Sequence, residues 1–352
     1  MPTSQQRTIT SSSQSPVHKH QQLLSNPTSK KIYIYIERMT IAIAGSGDLT
    51  RYLTEELLAA APKTPVVLLV RTEKPHFANL PNVSQLVVDY TSIPALTNAL
   101  NKTKTTTLIS TILTYNAEEF ITAHKNLITA AQNSTHCTRF IPSEYGVDIE
   151  KYPDQPGFYF ETREPIRQIL RGQSRLEWTL LCCGWLVDYI VPVGKRYLKD
   201  IGDAFPVNLA GGRVVIPGTG GEVVAFTAAR DLARAIAALV LAPAGSGGWE
   251  EYIFLAGEQI TLDKLAEVVK GKYPETKFDV EKLSLRMLVN AYRDAKDDFE
   301  KIDAEYKIVT VSGACEFDEE RVQRHREKYF SGVRFRGIKE ILDAADAADV
   351  IV

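Results

Sequence analysis

Ile41-Ala-Ile-Ala-Gly-Ser-Gly-Asp-Leu-Thr-Arg-Tyr-Leu-Thr54 is the stretch that decides the fold. Its first four residues are uniformly apolar, as a strand buried on both faces requires. Gly45 and Gly47 follow at once, and Leu49–Ala61 then repeats apolar residues at helical spacing. A strand, a tight turn and a helix in direct succession aim the helix's unpaired N–H groups and partial positive charge at one point. That point is an anion site. Glycine makes the turn possible and lets the backbone approach a pyrophosphate closely. The motif therefore predicts a dinucleotide site built from Gly45, Ser46, Gly47, Asp48, Leu49 and Thr50. Two residues depart from the G-x-G-x-x-G pattern. Thr50 stands in the third glycine position, and Asp48 brings a carboxylate near the phosphate, where its plainer role is a helix cap.

Downstream, apolar runs at Val66–Val70, Leu86–Val88, Leu108–Ile112, Arg139–Ile141 and Trp178–Leu181 read as further strands. Helical patterns over Thr91–Leu100 and Ala117–Gln132 separate them. Continuous apolar strands joined by helices predict an α/β fold, a doubly wound parallel Rossmann sheet with right-handed crossovers. After the second strand come Val70-Arg71-Thr72 and then Lys74. An acidic residue there would accept from the ribose hydroxyls of NAD, whereas arginine or lysine pairs with the 2′-phosphate of NADP. NADPH is the expected cofactor, with Glu73 as the dissenting neighbour. Ser110 and Thr111, ending the fourth strand, extend the expected cofactor contacts.

Beyond residue 183 the texture changes. Turn clusters at Gly211-Gly212 and Pro217–Gly221 flank short β segments and suggest a hairpin. A helix over Asp231–Leu241, a strand over Tyr252–Ala256 and a Thr-capped helix over Thr261–Lys270 follow. Asn290–Lys307 reads as one solvated amphipathic helix, and the basic Arg321–Lys328 as a balance to the acidic segment before it. The expected division is an extension at 1–38, a dinucleotide-binding domain at 39–183, and a smaller C-terminal substrate lobe at 184–352 that lends late elements to the sheet. Residues 1–38 are rich in Ser, Thr and Gln with no acidic residue before Glu37, a composition that predicts disorder. A mitochondrial presequence is the alternative, and Met39 is an alternative start.

Arg139-Phe-Ile-Pro-Ser-Glu-Tyr-Gly146, together with the glycine turn, Arg71, Phe160–Leu170 running into Leu176–Trp185, and Val214–Gly220, resembles the NmrA-like and isoflavone reductase-like atypical short-chain dehydrogenases. The likeness spans about residues 40 to 270. It implies a loop of Pro142, Ser143 and Tyr145 beside the nicotinamide, with Pro142 and Ser143 touching the cofactor. Reductases of that group carry a lysine one turn into the next helix, and Arg163 stands at the matching position. Arginine stays charged at all accessible pH values, so it can orient a ribose or polarise a carbonyl but cannot relay a proton. Tyr159 lies four residues earlier, on the same helix face, as in a Tyr-x-x-x-Lys pair. The cation would lower its pKa toward a phenolate. Pro165 argues against this geometry, because it disfavours helix at Glu164 and would start the helix near Arg163.

A net charge of −2 removes the electrostatic case for nucleic acid. The four cysteines form no zinc spacing and read as buried thiols, so no metal is expected. No run of 18 apolar residues exists to span a bilayer. The residues and the resemblance together predict a cytoplasmic NADPH-dependent reductase acting on an aromatic or polyketide-like small molecule. Tyr159 or Tyr145 would supply the proton, Arg163 would steady the oxyanion, and Ser143, Tyr145, Trp185 and Tyr189 would line the substrate cavity. Two other classes stay open: a non-catalytic NAD(P)-sensing regulator with a protein partner, and a non-redox isomerase or cyclase on the same fold.

Overall fold

The computed structural model describes residues 39–155, 157–243 and 247–352. The readings of the 1–38 extension lie outside the described residues. The first half alternates as the apolar runs require: β1 (Ile41–Ala44), α1 (Asp48–Ala60), β2 (Val66–Val70), β3 (Val83–Val87), α2 (Ile93–Lys102), β4 (Thr107–Ser110), α3 (Ala117–Asn133), β5 (Arg139–Ile141), α4 (Gly157–Arg171) and β6 (Glu177–Trp178). The six strands pair in the order β3-β2-β1-β4-β5-β6, all parallel. The order reverses between β1 and β4, and in open parallel sheets the crevice at such a reversal receives the ligand.

Every residue of β1, β2 and β4 is buried, which is why β1 and β2 read as unbroken apolar runs and β4 carries polar residues only at its ends, Thr107 and Ser110. Ala42, Ala44, Val67 and Leu69 pack with Leu96, Leu100, Phe120 and Leu127 of α2 and α3 in one core. Each fully buried leucine there contributes about 1.5–3 kcal/mol. Helix ends are set by local chemistry, with Ser92 and Asn116 accepting from Ala95 N–H and Glu119 N–H to cap α2 and α3.

The single expected strand at Trp178–Leu181 divides. β6 ends at Trp178, and β7 (Leu180–Cys182) continues the chain but pairs in parallel with β12 (Tyr252–Phe254), whose residues come from the second half. β8 (Trp185–Leu186), β9 (Val207–Asn208), β10 (Arg213–Pro217) and β11 (Val223–Thr227) precede α5 (Ala229–Leu241). β9 and β10 form the hairpin around Gly211-Gly212. No hairpin closes across Pro217–Gly221. There β10 pairs with β14 (Asp279–Leu283), while β11 pairs with β8 and β13 (Glu258–Thr261). Glu222 takes the N–H groups of Thr219 and Gly220, turning the chain from one sheet to the next.

α6 (Leu262–Lys272) is capped by Thr261 as its sequence implies. The one helix expected over 290–307 is two, α7 (Leu285–Asp294) and α8 (Asp298–Val311), because Asp297 accepts from Glu300 N–H and starts a new helix. α9 (Glu319–Tyr329) and α10 (Ile338–Ala344) end the chain. The basic face of α9 pairs with Glu150 and Glu250, not with the acidic residues before it. α5 lies on α1, where Arg230 reaches Glu55 and Glu56 at 3.0 and 2.9 Å, so the second half braces the helix that carries the glycine turn. All four cysteines are reduced and buried. Among the described residues no helix is long and apolar enough to cross a membrane, and no acidic, histidine and cysteine cluster is arranged for a metal.

Candidate functional site

A cleft of about 930 Å³ opens at the carboxyl ends of β1, β2 and β4, at the reversal of strand order. The glycine turn forms its floor. Gly45 has φ +122°, and a Cβ there would lie 2.6 Å from Thr111 Oγ1, so only glycine fits. A Cβ on Gly47 would meet nothing within 4 Å: this glycine faces open space rather than packing. Thr50 occupies the third glycine position without blocking the site, because its hydroxyl turns inward and meets Thr111 Oγ1 at 2.8 Å. Asp48 does not cap the helix. Gly47 is the N-cap residue, and the Asp48 carboxylate accepts from Lys199 N–H at 3.1 Å. Leu49 follows it in the first turn of α1 and, like Asp48, does not line the cleft.

Arg71 and Lys74 stand exposed along the cleft at the end of β2, with Ser46 and Thr111 also on its wall. Glu73 is exposed but outside it. Tyr90 is a lining residue that no local motif marks. Its hydroxyl donates to Leu69 O at 2.6 Å, and burial raises its pKa above the phenol range. Ser110 is fully buried beside the cleft rather than on it.

The loop after β5 is held from behind by His124, a residue the sequence reading passed over. Its Nδ1–H donates to Phe120 O at 2.9 Å. Its Nε2 receives Ser143 N–H at 3.4 Å and the Ser110 hydroxyl at 2.9 Å. Complete burial holds the imidazole neutral, with its pKa lowered to about 3. Pro142 and Ser143 are buried in this arrangement, off the open cleft. Glu144, next in line, takes a two-pronged ion pair from buried Arg167 of α4, at 2.6 and 3.3 Å. Tyr145 has φ +38° and donates its hydroxyl proton to Ser110 O at 2.9 Å. That proton is already committed to a carbonyl, and burial raises the phenol's pKa further.

α4 begins at Gly157 and runs through Pro165, so Tyr159 and Arg163 share a helix face. The proline costs one helical donor, while the first turn is secured elsewhere: Glu305 of α8 accepts from Phe158 N–H at 3.2 Å. The Arg163 guanidinium lies 3.9 Å from the centroid of the Tyr159 ring and 4.5 Å from that of Phe120. The cation therefore faces the ring and does not produce a phenolate. Burial outweighs Arg163, and the Tyr159 pKa is raised. Tyr306 of α8 stands edge-on to Tyr159, with the two hydroxyls interacting, and packs against Trp185 at 5.3 Å. Trp185 donates to Thr310 at 3.2 Å, and Phe205 meets Trp185 edge-on and the Tyr189 ring at a tilt. Exposed Tyr115 stands between Thr114 and Asn116, two residues of the cleft lining. Helices α4 and α8 and the segment after β7 thus gather an aromatic cluster, and none of Tyr159, Arg163, Trp185, Tyr189 and Tyr306 is on the lining of the cleft itself. Tyr306 and Tyr115 escaped the sequence reading because neither lies in a motif.

The strand order, the glycine turn and the cleft above it define a Rossmann-type dinucleotide-binding protein. A family model described as NAD(P)H-binding matches residues 44–207. The chain is 44% identical over 308 residues to "Oxidoreductase swnR" of Metarhizium robertsii, covering 88% of this chain and 98% of that protein. It is 24% identical over 208 residues to an NmrA-like family domain-containing oxidoreductase of Gibberella moniliformis, covering 58% and 61%. The structure of Vitis vinifera leucoanthocyanidin reductase with NADPH matches the fold with a TM-score of 0.65 at 17% identity, over 87% of this chain and 99% of that one. The chain belongs to the NmrA-like, isoflavone reductase-like family of NAD(P)H-binding oxidoreductases.

Proposed function

We propose that the protein is an NADPH-dependent reductase of an aromatic or polyketide-like small molecule. The observation that carries the reading is the pair Arg71 and Lys74 on the cleft wall at the end of β2, with Glu73 turned out of it. A 2′-phosphate is recognised by such cations and repelled by a carboxylate. Space at Gly47 and the N-terminus of α1 suit the pyrophosphate, so the residues present fit the dinucleotide. When bound, that cofactor supplies a hydride.

At the aromatic end, Tyr159 keeps its proton at neutral pH and serves as the donor to the reduced group. Arg163, held against the Tyr159 ring, orients the substrate beside that donor. Trp185 and Tyr189 give the planar substrate its wall, and the Ser143–Tyr145 loop is a rigid support. Tyr159→Phe is expected to lower kcat by about 100-fold or more while leaving NADPH binding unchanged, read by steady-state kinetics and titration. A second reading, the NAD(P)-sensing regulator, draws on Arg163, which cannot replace a proton-relaying lysine. It predicts cofactor binding with no consumption against any carbonyl compound tried. The domain division that accompanies the proposal assigns 39–183 to the cofactor and 184–352 chiefly to the substrate.

A further inference from the structure

Arg163 is 5% exposed, yet no carboxylate of the described residues lies within salt-bridge distance of it. The neighbouring acid, Glu144, is taken on both oxygens by Arg167. Arg163 Nη1 donates to the Thr162 hydroxyl at 2.8 Å, and its buried Nε has no partner. Nη2 also lacks a protein acceptor but, unlike Nε, is not sealed from solvent. Two ring faces, Phe120 and Tyr159, lie against the guanidinium. Ring faces ease the desolvation of a cation without neutralising it. A permanent buried charge with unused donors is expensive to hold unless something completes it. Phe120 belongs to α3, the helix whose Thr122 and Ala123 line the cleft, so Arg163 stands one side chain behind that helix, off the cleft lining itself.

We propose that Arg163 is the counter-charge of the substrate, and that the substrate carries a resting negative charge, a carboxylate, on a flat apolar frame. This rests on the reductase reading and narrows its substrate class. The aromatic wall of Tyr159, Tyr306 and Trp185 takes the frame, and the vacant donors of Arg163 take the acid. Arginine suits this role better than lysine because its guanidinium stays charged where it is buried, whereas a buried ammonium readily sheds its proton.

The test is calorimetric titration of the full-length protein with benzoate and its neutral isostere benzamide, with and without saturating NADP⁺. Benzoate is expected to bind at least tenfold more tightly than benzamide. Arg163→Met should abolish that preference, and Arg163→Lys should retain part of it. Because the charge is unpaired in the free protein, Arg163→Met is also expected to melt no lower than the parent, whereas an arginine serving the fold would lose stability when replaced. Equal binding of acid and amide overturns the proposal, as does an acid preference that survives Arg163→Met, or no heat from benzoate at millimolar concentration. NADP⁺ and NADPH titrated alone separate the two claims. Failure there removes the reductase reading, while failure of benzoate with cofactor binding intact removes only the charge assignment.

Discussion

A histidine buried without a countercharge makes a residue-scale signature in the pH dependence of stability. His124 titrates near 6.5 in the unfolded chain and at about 3 in the fold. Between those values the unfolded state binds the proton and the native state does not, so stability falls as pH drops from 6.5 toward 3. The slope from this group is about 1.4 kcal/mol per pH unit. Melting His124→Asn beside the parent across that range should show a flatter acid limb in the variant. Parallel acid limbs would mean that the native imidazole protonates with little cost. Arg71 makes the second residue-scale prediction. Arg71→Glu should weaken NADPH at least tenfold, a loss of about 1.4 kcal/mol, and leave NADH equal or tighter in a fluorescence titration. Equal losses for both cofactors would move the 2′-phosphate contact elsewhere.

At the scale of elements, α4 and the loop after β5 are tied by a nearly solvent-free ion pair, Arg167 with Glu144. Removing one partner strands the other charge. Arg167→Met is expected to cost about 3–5 kcal/mol in denaturant unfolding. Adding Glu144→Gln should recover a large part of the loss, and a double variant no better than the single would show that the pair acts through packing alone. Element by element, sequence legibility followed the range of the forces involved. β1 and β2 were readable because burial on both faces leaves no polar residue in either strand. The division of β6 from β7 was not, since it depends on β12 some seventy residues later, a span read from the pairing of Leu180 with Tyr252. Pro165 misled for a related reason: the anchor that preserves the first turn of α4, Glu305, sits on α8. The break between α7 and α8 had a local sign in Asp297, outweighed in the sequence by amphipathic spacing that spans it.

On the scale of the whole molecule, two kinds of site information are distinct. The cofactor end is encoded in contiguous residues, because a strand, a turn and a helix end make an anion site by themselves. Gly45, Ser46 and Gly47 were legible on those grounds, Arg71, Lys74 and Thr111 from their places at strand ends, and all six line the cleft, whereas Asp48, Leu49, Ser110, Pro142 and Ser143, expected with them, do not. The proposed reacting end is assembled across the chain. His124 joins Ser110 to Ser143, and Tyr306 comes to Tyr159 from α8, so each partnership exists only after folding. The individual residues carry no motif, and no spacing rule would have selected them. α5 resting on α1 shows the same dependence, since the second half supports the helix whose start forms the cofactor floor.

An NADPH site on this cleft can be checked by titrating the purified protein with NADPH, NADP⁺, NADH and NAD⁺ and following nicotinamide fluorescence or heat. Saturable one-to-one binding is expected, with NADPH at least tenfold tighter than NADH and that preference lost in Arg71→Glu. Failure of all four to bind, or a preference for NADH over NADPH, would contradict it.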